Sequence, residues 1–358
     1  MDKVNAEKQK IFRSNLITFG MVVIAYIAVE IMMKTGNMSS LFKGLLVPLC
    51  IYSILAVSLN LVVGISGELS LGHAGFMCIG AFSSATWSML MKSSAMPEGL
   101  RFFVAIVIGA VTAAFFGFLI GIPVLRLKGD YLAIVTLAFG EIIKNLVNAL
   151  YFGVDAHGPH FSLEDSMHLN MDGGTIIIKG AQGITGTPKN SNFTIGIILL
   201  LIALFVVLNL INSRTGRAIM AIRDNRIAAE SVGLNATKFK LLAFTISAAI
   251  AGVGGVLYAH NLSSLQALPK NFGYNQSIMI LVFVVMGGIG NIRGSVIAAV
   301  VLTLLPELLR GLSDYRMLIY AIVLILMMLF TSAPSWKQYR DRIMMSFKKK
   351  DSDGKESK

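Results

Sequence analysis

An apolar run near the middle of the chain, YLAIVTLAFGEIIKNLVNALYF (Tyr131–Phe152), carries Glu141 and Lys144 three residues apart. On a helix that spacing lets the two side chains meet. Charges in so apolar a run either neutralise one another as a structural pair, the simpler reading, or gate and orient a charged solute. A second concentration of polar chemistry is GISGELSLGHAGFMCIG, in which glycines 64, 67, 72, 75 and 80 surround Glu68, Ser70 and His73. Glycines admit unwound backbone, and a broken helix exposes amide and carbonyl groups that a zwitterion can use. Gly67, Glu68, Ser70, His73 and Gly75 are therefore a candidate solute path. The plainer account is a tightly packed hairpin with a solvated Glu68 and a satisfied His73.

The third concentration is SRTGRAIMAIRDNRIAAESVGLNATKFK (Ser213–Lys240). It reads as a helix, a break at Gly233, and a new start capped by Asn235. Ile219, Ile222, Ile227 and Val232 are expected to form one apolar face, with Arg217, Arg223, Asp224, Arg226 and Glu230 filling the rest. A connector needs only a few residues, so this one is expected to be a docking surface. The alternative is an amphipathic helix lying in a lipid interface, and composition alone does not separate the two.

Other chemistries find no support. The histidines are 73, 157, 160, 168 and 260, without metal-ligand spacing, and Gly158-Pro159 between His157 and His160 discourages a shared helical face. No metal site is expected. Cys50 and Cys78 sit in apolar runs and make no disulfide framework. No G-x-x-x-x-G-K-[ST] phosphate cradle is present, nor any catalytic constellation. The chain is read as a non-enzyme with no bound cofactor.

The elements that position these groups follow from composition. Of 358 residues 55% are hydrophobic and 14% charged, with mean hydropathy +0.72, against about 25% charged in soluble domains. An integral membrane protein is the class that remains. A crossing helix needs about 20 apolar residues, and ten runs qualify, the eighth and ninth being short. They are Asn15–Met33, Gly44–Gly64, Leu71–Met91, Phe102–Val124, Tyr131–Phe152, Phe193–Asn212, Leu241–His260, Gln276–Gly290, Gly294–Leu309 and Arg316–Ser332. With the N-terminus inside, the inner segments hold 21 of the 31 Lys and Arg and the outer segments 9. That bias favours an all-α, polytopic protein with both termini cytoplasmic. It also accounts for the net charge of +12 without nucleic acid, since the basic residues flank membrane helices. The expected organisation is a cytoplasmic tail over residues 1–14, a membrane domain over 15–332 and a basic cytoplasmic tail over 333–358. Within the domain, residues 153–192 form an external loop, read as a small ordered cap, and residues 213–240 a cytoplasmic loop.

Four stretches carry a resemblance that spans nearly the whole chain. They are LNLVVGISGELSLGHAGFMCIGAF (Leu59–Phe82), RLKGDYLAIVTLAFGEIIKN (Arg126–Asn145), TGRAIMAIRDNRIAAESVGLN (Thr215–Asn235) and VVMGGIGNIRGSVIAA (Val284–Ala299). In order and spacing they resemble the branched-chain amino acid permeases of ABC importers, of the LivM type; urea permeases look closely related. Ile227-Ala228-Ala229-x-x-x-Gly233 also resembles the E-A-A-x-x-x-G pattern of ABC importer coupling helices, with Ile in place of Glu and without its later I-x-L-P half. The resemblance implies ABC importer permease architecture in the bacterial cytoplasmic membrane, with Leu, Ile and Val as substrates. It implies ATPase coupling through Arg223, Arg226, Ala228, Ala229, Glu230 and Gly233. The implied partners are a second permease of the LivH type, two ATPase subunits that hold ATP and Mg, and an extracytoplasmic amino-acid-binding protein. A urea or other small-solute importer is the alternative. An ion-coupled carrier or a passive channel would have no ATPase to dock at the long inner loop.

Overall fold

The computed structural model describes residues 2–326, apart from residues 37–38, 93, 95, 128, 156, 170, 172–173, 310–314, 316–317 and 320. The tail expected at 333–358 and much of the run at 316–332 lie outside the described residues. The chain divides into two units, Met1–Val300 and Val301–Lys358.

In chain order the helices begin with α1 (Asp2–Lys34), α2 (Ser40–Asn60), α3 (His73–Leu90), α4 (Glu98–Val124) and α5 (Asp130–Ala149). A π-helical turn, Leu61–Ser66, extends α2. Four strands follow, β1 (Tyr151–Asp155), β2 (Gly158–Ser162), β3 (Thr175–Lys179) and β4 (Ile184–Thr185). Then come α6 (Phe193–Asn212), α7 (Arg214–Asp224), α8 (Arg226–Ser231) and α9 (Ala236–Asn261). The described order closes with β5 (Ser264–Leu265), α10 (Pro269–Phe272), α11 (Tyr274–Gly287) and α12 (Ile292–Leu308).

The first nine apolar runs fall on α1, α2, α3, α4, α5, α6, α9, α11 and α12. Among the described residues six helical segments are long and apolar enough to cross a bilayer: residues 15–34 of α1, α2 with its π turn, α4, α5, α6 and α9. The others are shorter. α11 has 14 residues, about 21 Å at 1.5 Å each, against about 30 Å of hydrocarbon. The charged start of the chain is not a separate segment in its backbone, because α1 runs unbroken from Asp2. The fifth run ends earlier than its apolar residues suggest: the helix stops at Ala149 and Tyr151-Phe152 open β1. Aromatic residues suit a half-buried pleated strand as well as a helix.

α3 and α9 form the core, packed on each other and on α4, with α2 against α9. Gly80 of α3 lies against backbone of Gly252 in α9, and a Cβ at Gly80 would collide with it. Phe76 of α3 adds ring contacts to Phe139 of α5 and Phe244 of α9, with centroids 5.2 and 5.5 Å apart. One end of this helical assembly carries an antiparallel sheet of order β2-β1-β3 and the β4–β5 pair. The other end carries α7 and α8.

Candidate functional site

The break expected at Gly233 is preceded by another. α7 ends at Asp224, and Asn225 takes an extended conformation and accepts a hydrogen bond from Ala228 N (3.1 Å). Its amide side chain supplies the N-cap that makes α8 a separate helix. Gly233 follows at φ +86°, its N–H bonded to Glu230 O (3.0 Å). Asn235 caps α9 as expected, accepting from Lys238 N (3.0 Å).

This second break overturns the single apolar face expected of the loop. Ile219 and Ile222 are buried, whereas Ile227 is 81% and Val232 76% exposed. A helix interrupted at Asn225 cannot keep one angular register across it, so the two pairs point to different surroundings. Ile222, Ala229 and Ala236 form a small core with Leu234 and Phe239 packed on it. Arg226 and Glu230 pair across one turn of α8 (2.9 Å), and Ala228 is exposed beside them. α8 is thus a braced platform with apolar side chains on its free surface.

Arg223 ties the platform to the glycine-rich segment. Its Nη1 donates to Gly64 O in the π turn (2.8 Å), while Nε and Nη2 grip Asp224 Oδ1 (3.0 and 2.9 Å). Gly67 ends that turn at φ +74°, and the Arg223 side chain lies where a Cβ at Gly67 would go. Any other residue would be strained there and would displace the arginine. Glu68 is no free solvated charge: Lys240, at the start of α9, forms an ion pair with it.

Beyond Glu68 the backbone runs non-helical to His73. Leu71 N donates to Thr136 Oγ1 of α5 and Ala74 N to Ser277 Oγ of α11, each at 3.0 Å. His73 is buried with Nε2 2.6 Å from Ser58 Oγ, so it is an internally satisfied residue between helices. Gly75 packs against Gly140 of α5, with no room for a side chain. Ser70 is buried, and its hydroxyl has no hydrogen-bond partner among the described residues. The five marked residues therefore fall into two groups. Gly67 and Glu68 belong to the contact with α7 and α9, while Ser70, His73 and Gly75 lie at the junction of α3 with α5 and α11.

Glu141 and Lys144 pair on α5 as their spacing predicts. The carboxylate does more than neutralise the lysine, because Oε1 accepts the Tyr274 backbone N–H (2.8 Å) at the start of α11. α11 has no side-chain cap of its own, so a carboxylate from another helix satisfies one of its free donors. Asn148, one helical turn beyond Lys144, donates to Ala267 O (2.9 Å) and holds the chain entering α10.

Several of these connections escaped sequence reading. Asn60, within an apolar run, donates to Ser295 Oγ (2.7 Å) and accepts from Gly290 N (2.8 Å). An amide in so apolar a stretch signals a buried partner, though not which one. Lys240 reads from the sequence only as an inner-flank charge. Among the described residues no group of three or more His, Cys, Asp or Glu could hold a metal ion.

The family model for the branched-chain amino acid transport system / permease component matches residues 41–331. The chain is 38% identical over 295 residues to the high-affinity branched-chain amino acid transport system permease protein LivM of Salmonella typhimurium, covering 78% of this chain and 66% of that one. The aligned region thus spans just under two thirds of that relative's length. It is 25% identical over 326 residues to the fructose import permease protein FruG of Bifidobacterium longum, covering 86% and 87% of the two chains. It is 23% identical to the branched-chain permease protein LivH of Escherichia coli, covering 78% and 88%. No solved structure matches the chain. With six segments of crossing length and a family match over most of its length, the chain is a multi-pass membrane protein and belongs to the branched-chain amino acid transport system permease component family.

Proposed function

We propose that the chain is the membrane-spanning permease subunit of an ATP-driven importer for leucine, isoleucine and valine. In this reading it lies in the bacterial cytoplasmic membrane with both termini inside. It works beside a second permease of the LivH type and receives substrate from an extracytoplasmic binding protein. Two ATPase subunits bind ATP and Mg and hydrolyse the nucleotide; this chain contributes no catalytic group.

The observation that carries the reading is the platform made by α7 and α8. Two large apolar side chains, Ile227 and Val232, are exposed on it, and its base is bonded into the membrane helices through Arg223 and Gly64. An ATPase pair that grips α8 and closes on ATP would displace α7 with it. The Arg223–Gly64 and Lys240–Glu68 links would pass that displacement to the π turn of α2 and to the non-helical approach to α3. Coupling requires the ATPase to hold this platform differently in its two states, since equal binding shifts no equilibrium.

The similarity to a fructose import permease favours a second reading, an ABC importer of another small polar solute, urea included. Labelled leucine uptake, measured with and without the gene, decides between them. Gene-dependent uptake that fails on ATP depletion but survives a protonophore at preserved ATP is the expected result. Uptake that follows the proton gradient would refute an ATP-driven importer, and absence of gene-dependent leucine uptake would refute the substrate.

A further inference from the structure

The outward faces of the membrane helices differ in chemistry. α4 presents Phe103, Val111 and Phe115, and α6 presents Ile198, Ile202 and Phe205, apolar side chains suited to lipid. α5 presents Tyr131, Ile134, Ile142 and Leu146 and exposes Asn145, as α6 exposes Asn209. Beside them a quarter of the Glu141 side chain is accessible. A charged or amide group facing hydrocarbon is costly, and such groups face protein or a water-filled path instead. The Glu141 edge of α5 therefore looks onto protein or water.

Three complementary groups meet at this edge, with Lys144 buried behind the partly accessible Glu141. Glu141 and Lys144 lie eleven and fourteen residues past the start of α5, about 17 and 21 Å along a helix about 30 Å long, so both are inside the span rather than at its ends. Lys144 has Glu141 as its one hydrogen-bond partner among the described residues. The third group is the N-terminus of α11, whose first amide points at Glu141 and whose next residue, Asn275, is exposed. The short α11 brings that positive end of its dipole into the depth of the membrane.

An α-amino acid zwitterion carries the same two charges as this pair, arranged to meet each in turn. We propose that Glu141 and Lys144 form the head-group site of the transport path, which rests on the branched-chain reading above. The substrate ammonium takes Glu141; its carboxylate takes Lys144 and the amides of Tyr274, released by Glu141, and Asn275 at the start of α11. In the unloaded protein the two side chains neutralise one another. Neither state leaves an unpaired charge in the membrane, and the exchange changes no net charge.

The Glu141→Gln/Lys144→Met double variant separates this role from a structural one. Gln keeps an oxygen for the Tyr274 N–H, and the double change keeps the site neutral, so a merely structural pair would tolerate it. The assembled complex of permeases, ATPases and binding protein is reconstituted in liposomes and labelled leucine uptake measured. The expected result is an intact purified complex whose uptake falls at least tenfold. Uptake within twofold of wild type overturns the head-group site while leaving the branched-chain reading in place. Absence of leucine uptake by the wild-type complex refutes that reading and this site with it. Should the double variant fail to assemble, the wild-type complex with 15N-labelled lysine side chains answers instead. Saturating leucine is expected to shift the Lys144 signal, assigned through Lys144→Arg, and an unmoved signal overturns the proposal.

Discussion

Arg223 Nη1 lies 2.8 Å from the carbonyl oxygen of Gly64, so the loop between α6 and α9 is bonded to the last turn of the α2 helix. This joins residues 159 positions apart and makes one arginine a mechanical link between an exposed platform and the membrane core. A hydrogen bond from a charged donor is worth about 1.5–3 kcal/mol. Arg223→Ala is expected to lower leucine uptake about tenfold, a coupling loss of about 1.4 kcal/mol, while the complex still assembles. Unchanged uptake in reconstituted liposomes would remove the link from the mechanism.

The two exposed residues of the platform have a different signature. Ile227→Asp and Val232→Asp touch no core, so each is expected to alter permease stability by less than about 0.5 kcal/mol. Both are expected to reduce co-purification of the ATPase at least tenfold. Ala229→Glu works by the opposite route, placing a carboxylate in the core of Ile222 and Ala236. It should open the loop to limited proteolysis, as should Gly233→Pro, which removes the N–H bonded to Glu230. Both variants are expected to abolish transport while still inserting in the membrane.

Charge exchange tests the second link. Glu68→Lys places like charges together at the start of α9 and is expected to impair uptake. Lys240→Glu in the same chain restores an ion pair of reversed sense and is expected to recover most of it. A double variant no better than the single one would show that the pair carries nothing between the two segments.

A pH test addresses the capping loop. His168 Nδ1 lies 2.6 Å from Asp165 Oδ1, and Glu164 is 3.5 Å from Nε2. The hydrogen bond to Asp165, with the charges of Asp165 and Glu164, raises the His168 pKa above its ordinary value. The Asp165 pKa is lowered by hydrogen bonds from the His168 backbone and ring. The histidine's contribution is therefore fully present below its unfolded pKa, about 6.5, and lost as pH rises through the raised value. The aspartate's is present above its unfolded pKa, about 3.9, and lost as pH falls through the lowered one. Histidine-selective NMR is expected to place the His168 midpoint above 6.5, and Asp165→Asn to bring it down.

The membrane helices were legible because lipid imposes one rule on every residue of a span. Phe193–Asn212 falls on α6 with both ends matched, and the Glu141–Lys144 pair follows from helical spacing alone. What stayed hidden depends on where the backbone turns. Asn225 reads as one more polar residue in a polar helix, yet its cap rotates Ile227 away from Ile222. Tyr151 and Phe152 read as the end of a helix, since periodicity cannot separate a short apolar strand from a helical continuation. The Lys240–Glu68 and Asn60–Gly290 contacts join segments far apart in sequence, and no local pattern announces such a partner.

The pairing of β4 with β5 sets an order on biogenesis. Ile184 meets Leu265 and Thr185 meets Ser264, so the sheet end is stitched by a segment emerging only after α9. A ribosome that has released α6 has already delivered every residue of β1 through β4, yet the last stitch is absent. Until Leu265 arrives, Ile184, fully buried in the finished fold, lacks its strand partner. The cap is therefore completed only after the seventh apolar run has been made, and a chain halted before Leu265 is expected to be cleaved there faster than the finished one.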